Sequence, residues 1–197
     1  MTENWIEQVK LGKLPKQVKL FLTAFLIVMA VGYFMAVLNI WTSMEGIKES
    51  VKEVETPAGM RTIRETKINS LWIYKGVVNH YRGAAENASN DEKAAYPGMD
   101  LPTMTSATHT HLIAMSLMLL ALGMVFLFTN TLSGWLKSSI LVISFLSIIA
   151  DLGSAWIMKY FTPGGAYLMM FSGMLIGICV FFEIVTPLYE MWIKKEK

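Results

Sequence analysis

The stretch TNTLSGWLKSSILVISFLSIIADLGSAWIMKYFTPGG, residues 129–165, decides the fold of this chain. Its apolar centre, residues 135–160, exceeds the roughly 20 helical residues that cross a hydrocarbon core. A tight turn stands on each side, TNTLSG before it and FTPGG after it. Because short loops join antiparallel neighbours, the stretch predicts a membrane-spanning helix with an antiparallel neighbour before and after it.

Three further apolar stretches, residues 18–42, 107–130 and 164–191, are also long enough to span a membrane. The whole chain is 54% hydrophobic and only 16% charged, whereas soluble domains approach a quarter charged. We therefore predict an all-α membrane protein: an antiparallel bundle of four transmembrane helices, with a partly helical extracytoplasmic insert between the first and second. The composition disfavours a water-soluble enzyme, and a net charge of +2 gives no indication of nucleic-acid binding.

The lysines near the span ends predict the orientation, because cytoplasmic flanks of membrane helices are enriched in Lys and Arg. They lie before the first span, in the turn after the second and behind the last: Lys10, Lys13, Lys16, Lys19, Lys137, Lys194, Lys195 and Lys197. This predicts a multi-pass protein of the bacterial inner membrane with both termini cytoplasmic. Residues 1–17 and 192–197 are then the cytoplasmic ends, and residues 43–106 are a periplasmic insert.

The insert is polar, with apolar residues at helical spacing in two places. Residues 44–55 place Ile47, Val51 and Val54 on one helical face, and residues 61–81 form a second amphipathic stretch. We expect two short helices over the outer mouth of the bundle. They either cap the bundle or form a docking surface for a periplasmic partner.

Few ionisable residues lie within the spans, and such residues usually face a partner, a cavity or a cofactor. By helix rise, Asn39, His109, His111 and Asp151 all lie in the outer half of the membrane. Glu183 lies near the cytoplasmic face. We expect it to be a separate, hydrogen-bonded group, with nothing polar linking it to Asp151.

The two histidines are separated by about 200° of helix rotation. They can therefore bind one metal ion together only if the backbone there is extended and the helix begins late. His111 shares a helical face with Met115. Three interpretations fit these residues. The first is a structural histidine bonded to Asp151, and the second is a copper site of His and Met. The third is a haem b ligated by His109 or His111, with His80 or a methionine as the other ligand.

The cysteine count limits these sites further. The single cysteine, Cys179, excludes an internal disulfide and a covalently attached c-type haem.

A separate signal concerns helix packing. The pair Gly173-x-x-x-Gly177 permits close helix contacts, which is compatible with a homo-oligomer.

Three short segments carry a resemblance to known proteins. They are LPKQVKLFLT (14–23) followed by Gly32-Tyr33 and Leu38-Asn39, then His109-x-His111-Leu112, and Asp151-Leu152-Gly153-Ser154-x-Trp156. Together they resemble a family of small bacterial four-helix membrane proteins that accompany cytochromes. Some members carry a CxxCH haem motif in the outer insert, and this chain has no cysteine there.

The resemblance implies a place in respiratory electron transfer, with Asn39, His109, His111, Asp151 and Trp156 as site residues. We therefore expect a membrane protein that holds haem b or contacts quinol near the outer leaflet, more an accessory subunit than an enzyme. Its partners are the lipid bilayer and a cytochrome or quinol-linked subunit on the periplasmic side. The alternatives are a non-catalytic anchor or assembly subunit without a cofactor, and a copper-binding or copper-transport protein.

Overall fold

The computed structural model describes residues 10–43, 47–56, 59–68, 72–86, 90, 93 and 96–194. After a 3-10 turn at Leu11–Lys13, its elements are α1 (Lys16–Ser43), β1 (Ile47–Thr56), β2 (Gly59–Ile68), α2 (Trp72–Arg82), α3 (Leu101–Leu127), α4 (Gly134–Tyr160) and α5 (Gly165–Trp192). Within the described residues, α1, α3, α4 and α5 are long and apolar enough to cross a membrane. The predicted bundle of four membrane helices is confirmed.

The core lies between α3, α4 and α5, and α1 packs on its outside. The main buried cluster takes Leu119 and Leu122 from α3, Ile148 from α4 and Ile176 from α5. Leu26 is the one fully buried residue among the described side chains of α1. The apolar outer surface of α1 is therefore a surface for lipid, which solvates such side chains as well as a protein core does.

A close helix contact lies at the turn between α4 and α5. A Cβ atom placed on Gly165 would lie 2.8 Å from the backbone N of Met158 and 2.8 Å from the backbone O of Ser154. These are backbone atoms of α4, which cannot move aside as a side chain can. Glycine at this position therefore allows the first turn of α5 to approach the backbone of α4.

The start of α1, the turn between α3 and α4 and the end of α5 meet at one end of the bundle, here called the terminal end. Lys19 Nζ donates to the Met191 carbonyl at 3.1 Å. Glu190 Oε2 accepts from the backbone N of Asn130 and from Thr131 Oγ1, both at 2.7 Å. The start of the first membrane helix and the end of the last thus lie on the same side of the bundle.

Lys137 also lies at the terminal end, where its ammonium group is buried. Its Nζ donates to the carbonyls of Leu127 at 3.1 Å and Thr129 at 2.7 Å. These carbonyls are at the end of α3, where helical carbonyls lack partners and a cation is favoured. Lys137, in the first turn of α4, thus caps the C-terminus of α3.

Helix α2 lies on the opposite end of the bundle, here called the insert end. Val77 is buried against Met158 and Ala166, at the turn between α4 and α5. Tyr74 stacks on Tyr167 with ring centroids 4.9 Å apart. The helical part of the insert therefore covers the end of the bundle. This agrees with the expectation that the insert caps the bundle.

The helix expected over residues 44–55 is wrong, and so is the first part of the helix expected over 61–81. The backbone there forms an antiparallel hairpin in which Ile47 pairs with Ile68 and Thr56 with Gly59. The spacing of Ile47, Val51 and Val54 fits a helix, but the β-branched content of both segments favours strands. Three apolar residues at helical spacing are a weak signal for a helix. The ten paired positions between the two strands stabilise the hairpin instead.

Helix α3 begins at Leu101, earlier than the predicted start at residue 107. Asp100 caps it by accepting a hydrogen bond from the backbone N of Thr103 at 3.1 Å. Hydrogen bonds from the side chain and the backbone of Thr103 lower the pKa of the Asp100 carboxyl. Pro102 follows in the first turn, where its missing N–H costs nothing. The first turns of α3 are polar, which is why the hydropathy of the sequence placed the start too late.

We predict that Gly165→Ala lowers the free energy of unfolding by about 1–3 kcal/mol, the usual cost of overpacking. The added methyl group clashes with the backbone of α4, so the hairpin of α4 and α5 must open. The measurement is thermal unfolding in detergent followed by circular dichroism.

Gly164→Ala is the matched control, since a Cβ there would meet only the Thr162 side chain, at 3.4 Å or more. We expect it to change the stability by less than about 0.5 kcal/mol. A Gly165→Ala protein as stable as the parent chain would contradict the close packing described here.

Candidate functional site

Asp151 is the centre of the candidate site. It lies nine residues before the end of α4, about 14 Å from the insert end by helix rise. Its side chain is half-buried, and Oδ1 accepts a hydrogen bond from Ser172 Oγ on α5 at 3.2 Å. One turn further along α4, the buried Ser154 donates to the Asp151 backbone carbonyl at 2.5 Å.

Polar side chains from every other helix lie within electrostatic range of this carboxyl group. Tyr33 on α1, Tyr81 on α2 and His111 on α3 each interact with the charge of Asp151. With Ser172 on α5, which donates a hydrogen bond to Asp151, they form what we call the Asp151 cluster. Helices far apart in sequence thus bring polar side chains near one acid in the half of the membrane nearer the insert.

One glycine of α5 makes room for this arrangement. A Cβ on Gly177 would lie 3.0 Å from the Tyr33 hydroxyl, whereas one on Gly173 would be in ordinary contact with Asp151 Oδ1 at 3.8 Å. The Tyr33 hydroxyl donates a long hydrogen bond, 3.5 Å, to the Gly173 carbonyl. The Gly173-x-x-x-Gly177 pair therefore serves a helix contact within the chain, between α1 and α5.

Tyr81 belongs to the insert and brings a phenol to the cluster from above the membrane helices. Burial raises its pKa, and the negative charge of Asp151 raises it further. The phenol therefore keeps its proton at neutral pH and can donate a hydrogen bond.

The structure brings His111 to the cluster and places His109 elsewhere. Both rings are exposed, and both lie within the regular helix α3, well after its start at Leu101. The extended backbone that would let both histidines bind one metal ion is therefore absent from this part of the chain. His111 lines a shallow open groove with Pro102, Ser106 and Thr110.

The remaining sequence candidates have other positions. Met115 packs on the main buried cluster. Asn39 lies on an exposed face of α1, and His80 is exposed on α2 with its ring 5.0 Å from that of Tyr81. Partial desolvation lowers the pKa of His80. Within the described part of the chain, no three His, Cys, Asp or Glu side chains group as metal ligands would.

Trp156, which the resemblance singles out, joins two membrane helices beside the cluster. Its Nε1 donates to Thr108 Oγ1 of α3 at 3.0 Å, and Thr108 Oγ1 donates to the Met104 carbonyl at 2.8 Å. Because Thr108 lies between the two histidines and the start of α3, this contact fixes α3 against α4 close to His111.

Sequence reasoning missed three members of the cluster: Tyr33, Tyr81 and Ser172. Tyr33 stands within the segments that carry the resemblance, but a phenol is neutral at neutral pH and gives no charge to mark it. Ser172 is one of several serines in apolar helices, and Tyr81 was expected only to pack. Nothing in the local sequence distinguishes these hydroxyls from ordinary buried or interfacial ones.

Glu183 is 0% exposed, and its carboxyl group lies beside the Ser144 hydroxyl of α4. The expectation that nothing polar links Glu183 to Asp151 is incomplete, because the buried hydroxyls of Ser144 and Ser147 lie between their levels along α4. The sequence places these serines among apolar residues, and only the packing shows that they are buried.

Residues 72–197 match a family model, Aq_1264_TM, described as a transmembrane helical domain. The match begins at α2 and runs through α3, α4 and α5, so it includes four of the five residues of the Asp151 cluster. No curated protein and no solved structure matches the chain. Because the matched region is more than half of its length, the chain belongs to this family of transmembrane helical domains.

Proposed function

We propose that the chain is an accessory subunit of respiratory electron transfer that binds a quinol headgroup at the Asp151 cluster. The observation that carries this proposal is a half-buried acid, Asp151, that is hydrogen-bonded to Ser172 and has Tyr33, Tyr81 and His111 within range of its charge. Polar side chains are expensive in a membrane helix and tend to mark a ligand or a proton pathway.

A quinol has two hydroxyl groups on an apolar ring and reaches a protein through the bilayer. The Asp151 carboxylate can accept a hydrogen bond from one hydroxyl, and the Tyr81 phenol can donate one to its oxygen. His111 is exposed and lines the groove on α3, so a headgroup can reach this member of the cluster from the surface. In this proposal the electrons pass to a cytochrome on the periplasmic side, and the chain supplies binding and proton acceptance.

Haem b ligated by His111 is a second candidate, favoured by an exposed imidazole that interacts electrostatically with Asp151, an acid of the type that orients ligating imidazoles. An absorption spectrum of the protein purified from its native membrane separates the two. A Soret band that shifts on dithionite reduction supports haem, and a colourless preparation that binds quinone supports the first proposal. A copper site is less well supported, because Met115 is packed on the core.

We expect His111→Ala and Asp151→Asn each to raise the Kd for a short-chain quinone about tenfold, or about 1.4 kcal/mol, the scale of a lost hydrogen bond. The measurement is quenching of tryptophan fluorescence in detergent as decylubiquinone is added, with decylmenaquinone as the second headgroup.

His109→Ala is the matched control, because this histidine is equally exposed but lies on a different face of α3. Its Kd should equal that of the parent chain. Equal weakening by His109→Ala and His111→Ala, or no saturable binding by the parent chain, would remove the quinol site.

We also propose that the chain lies in the bacterial inner membrane with the terminal end cytoplasmic, as its lysines predict. Lys10→Cys should then react with a membrane-impermeant maleimide only after cells are permeabilised, and Glu86→Cys should react in intact cells. The native Cys179 is buried and gives little background. The reverse labelling pattern would show that the orientation is inverted.

A further inference from the structure

Buried polar side chains run along the interface of α4 and α5. The residues on α4 are Ser144, Ser147, Asp151 and Ser154, and those on α5 are Ser172, Glu183, Thr186 and Glu190. All are at most 8% exposed except Asp151, which is half-buried. Their spacing of three and four residues along α4 keeps them on one helical face. We call this row the polar seam.

Glu183 lies in the middle of the polar seam and is the unusual group in it. Its carboxyl oxygens have no hydrogen-bond partner among the described residues. The Ser144 hydroxyl lies beside this carboxyl group but donates its hydrogen to the Leu141 carbonyl at 2.8 Å. An ionised carboxylate with one neutral hydroxyl beside it and no cation among the described neighbours is very costly in such a place, so the seam accommodates Glu183 with a proton bound.

The backbone at Glu183 adds a further acceptor. Pro187 lies four residues later within α5 and has no N–H, so the Glu183 backbone carbonyl lacks its usual helical hydrogen bond. At Glu183 there are thus a carboxyl group, a neighbouring hydroxyl and a carbonyl without its usual helical donor, inside an apolar bundle. Polar sites of this kind can hold the water that completes a hydrogen-bonded chain.

The polar seam reaches from one end of the bundle toward the other. From Ser172, level with Asp151, to Glu190 the rise of α5 is about 27 Å, close to the thickness of a hydrocarbon core. At the terminal end, Glu190 forms an ion pair of 3.8 Å with Lys194, whose side chain is 32% exposed. Toward the insert end, Asp151 lies near the exposed His111.

We propose that the polar seam is a proton-transfer path across the membrane, with Glu183 as the proton carrier midway between Asp151 and Glu190. Each transfer moves one proton from a carboxyl or hydroxyl O–H to the next oxygen, which releases its own proton onward. Only O–H bonds form and break, so no oxidant or reductant is needed. The path joins the Asp151 cluster to the terminal end.

The position of the Ser144 hydroxyl implies that transfer through the seam is slow. Its hydrogen bond to Leu141 turns its proton away from Glu183, and each passage requires the hydroxyl to rotate. The titratable neighbour Cys179 interacts electrostatically with Glu183 from the same helix, and Lys137 is occupied by carbonyls of Leu127 and Thr129. Neither group supplies a fixed positive charge that would hold Glu183 ionised.

The test uses the full chain in vesicles of phosphatidylcholine and phosphatidylglycerol that contain the pH dye pyranine. A potassium gradient with valinomycin drives protons inward. We expect the parent chain to acidify the lumen faster than protein-free vesicles do, and Glu183→Gln to lose this difference. Ser147→Ala, which removes the hydroxyl between Asp151 and Ser144, should lose most of it.

The matched controls are Glu86→Gln, a carboxyl on the exposed insert, and Ser138→Ala, an exposed hydroxyl on α4. Both should conduct as the parent chain does. Because glutamine has the shape of a protonated glutamate, Glu183→Gln should fold, and circular dichroism checks this. As a second measurement, the infrared band of a protonated carboxyl group at neutral pH should be present in the parent chain and weaker in Glu183→Gln.

A parent chain that acidifies vesicles no faster than lipid alone would overturn the path, as would Glu183→Gln with unchanged flux. The inference does not rest on quinol binding. A chain that binds quinone but does not conduct protons would leave the proposed function standing without the path. A conducting chain that binds no quinone would leave the path standing by itself.

Discussion

The contact of α4 with α5 is the constraint on which the rest of the structure depends. At Gly165 the two helices meet backbone to backbone, with no space for even a methyl group. From this point they run past each other over their full length, and the other elements pack around the pair. Helix α2 lies on its turn, α3 fills one side with Leu119 and Leu122, and α1 contacts α5 from outside.

The membrane explains why this contact is polar inside and apolar outside. In water, hydrophobic burial drives association, but lipid tails solvate apolar side chains as well as a protein interior does. Hydroxyl and carboxyl groups gain most by turning away from lipid toward another helix. The serines of α4 and Glu183 of α5 follow this rule, and their hydrogen bonds to backbone carbonyls satisfy the hydroxyls within their own helix.

The sequence predicts the membrane helices well because hydropathy over 20 or more residues is a strong signal. Prediction from sequence is weaker where a segment is short or polar. Hydropathy predicts too late a start for α3, because its first turns are rich in threonine. Apolar spacing predicts helices in the insert where a hairpin forms. Asp151 was identified because an acid inside a span is rare. Tyr33, Tyr81 and Ser172 were not, because hydroxyl groups are common in membrane helices.

By itself, the sequence determined that this is a membrane protein of four helices, since about 20 apolar residues in a row have no better solvent than lipid. It also determined that few ionisable groups enter the membrane and that Asp151 is one of them. Only the tertiary structure decided which side chains lie within range of Asp151, because Tyr33, Tyr81 and His111 come from separate helices whose rotation is set by packing. The same packing placed Glu183 of α5 beside Ser144 of α4, a relation that no local pattern encodes.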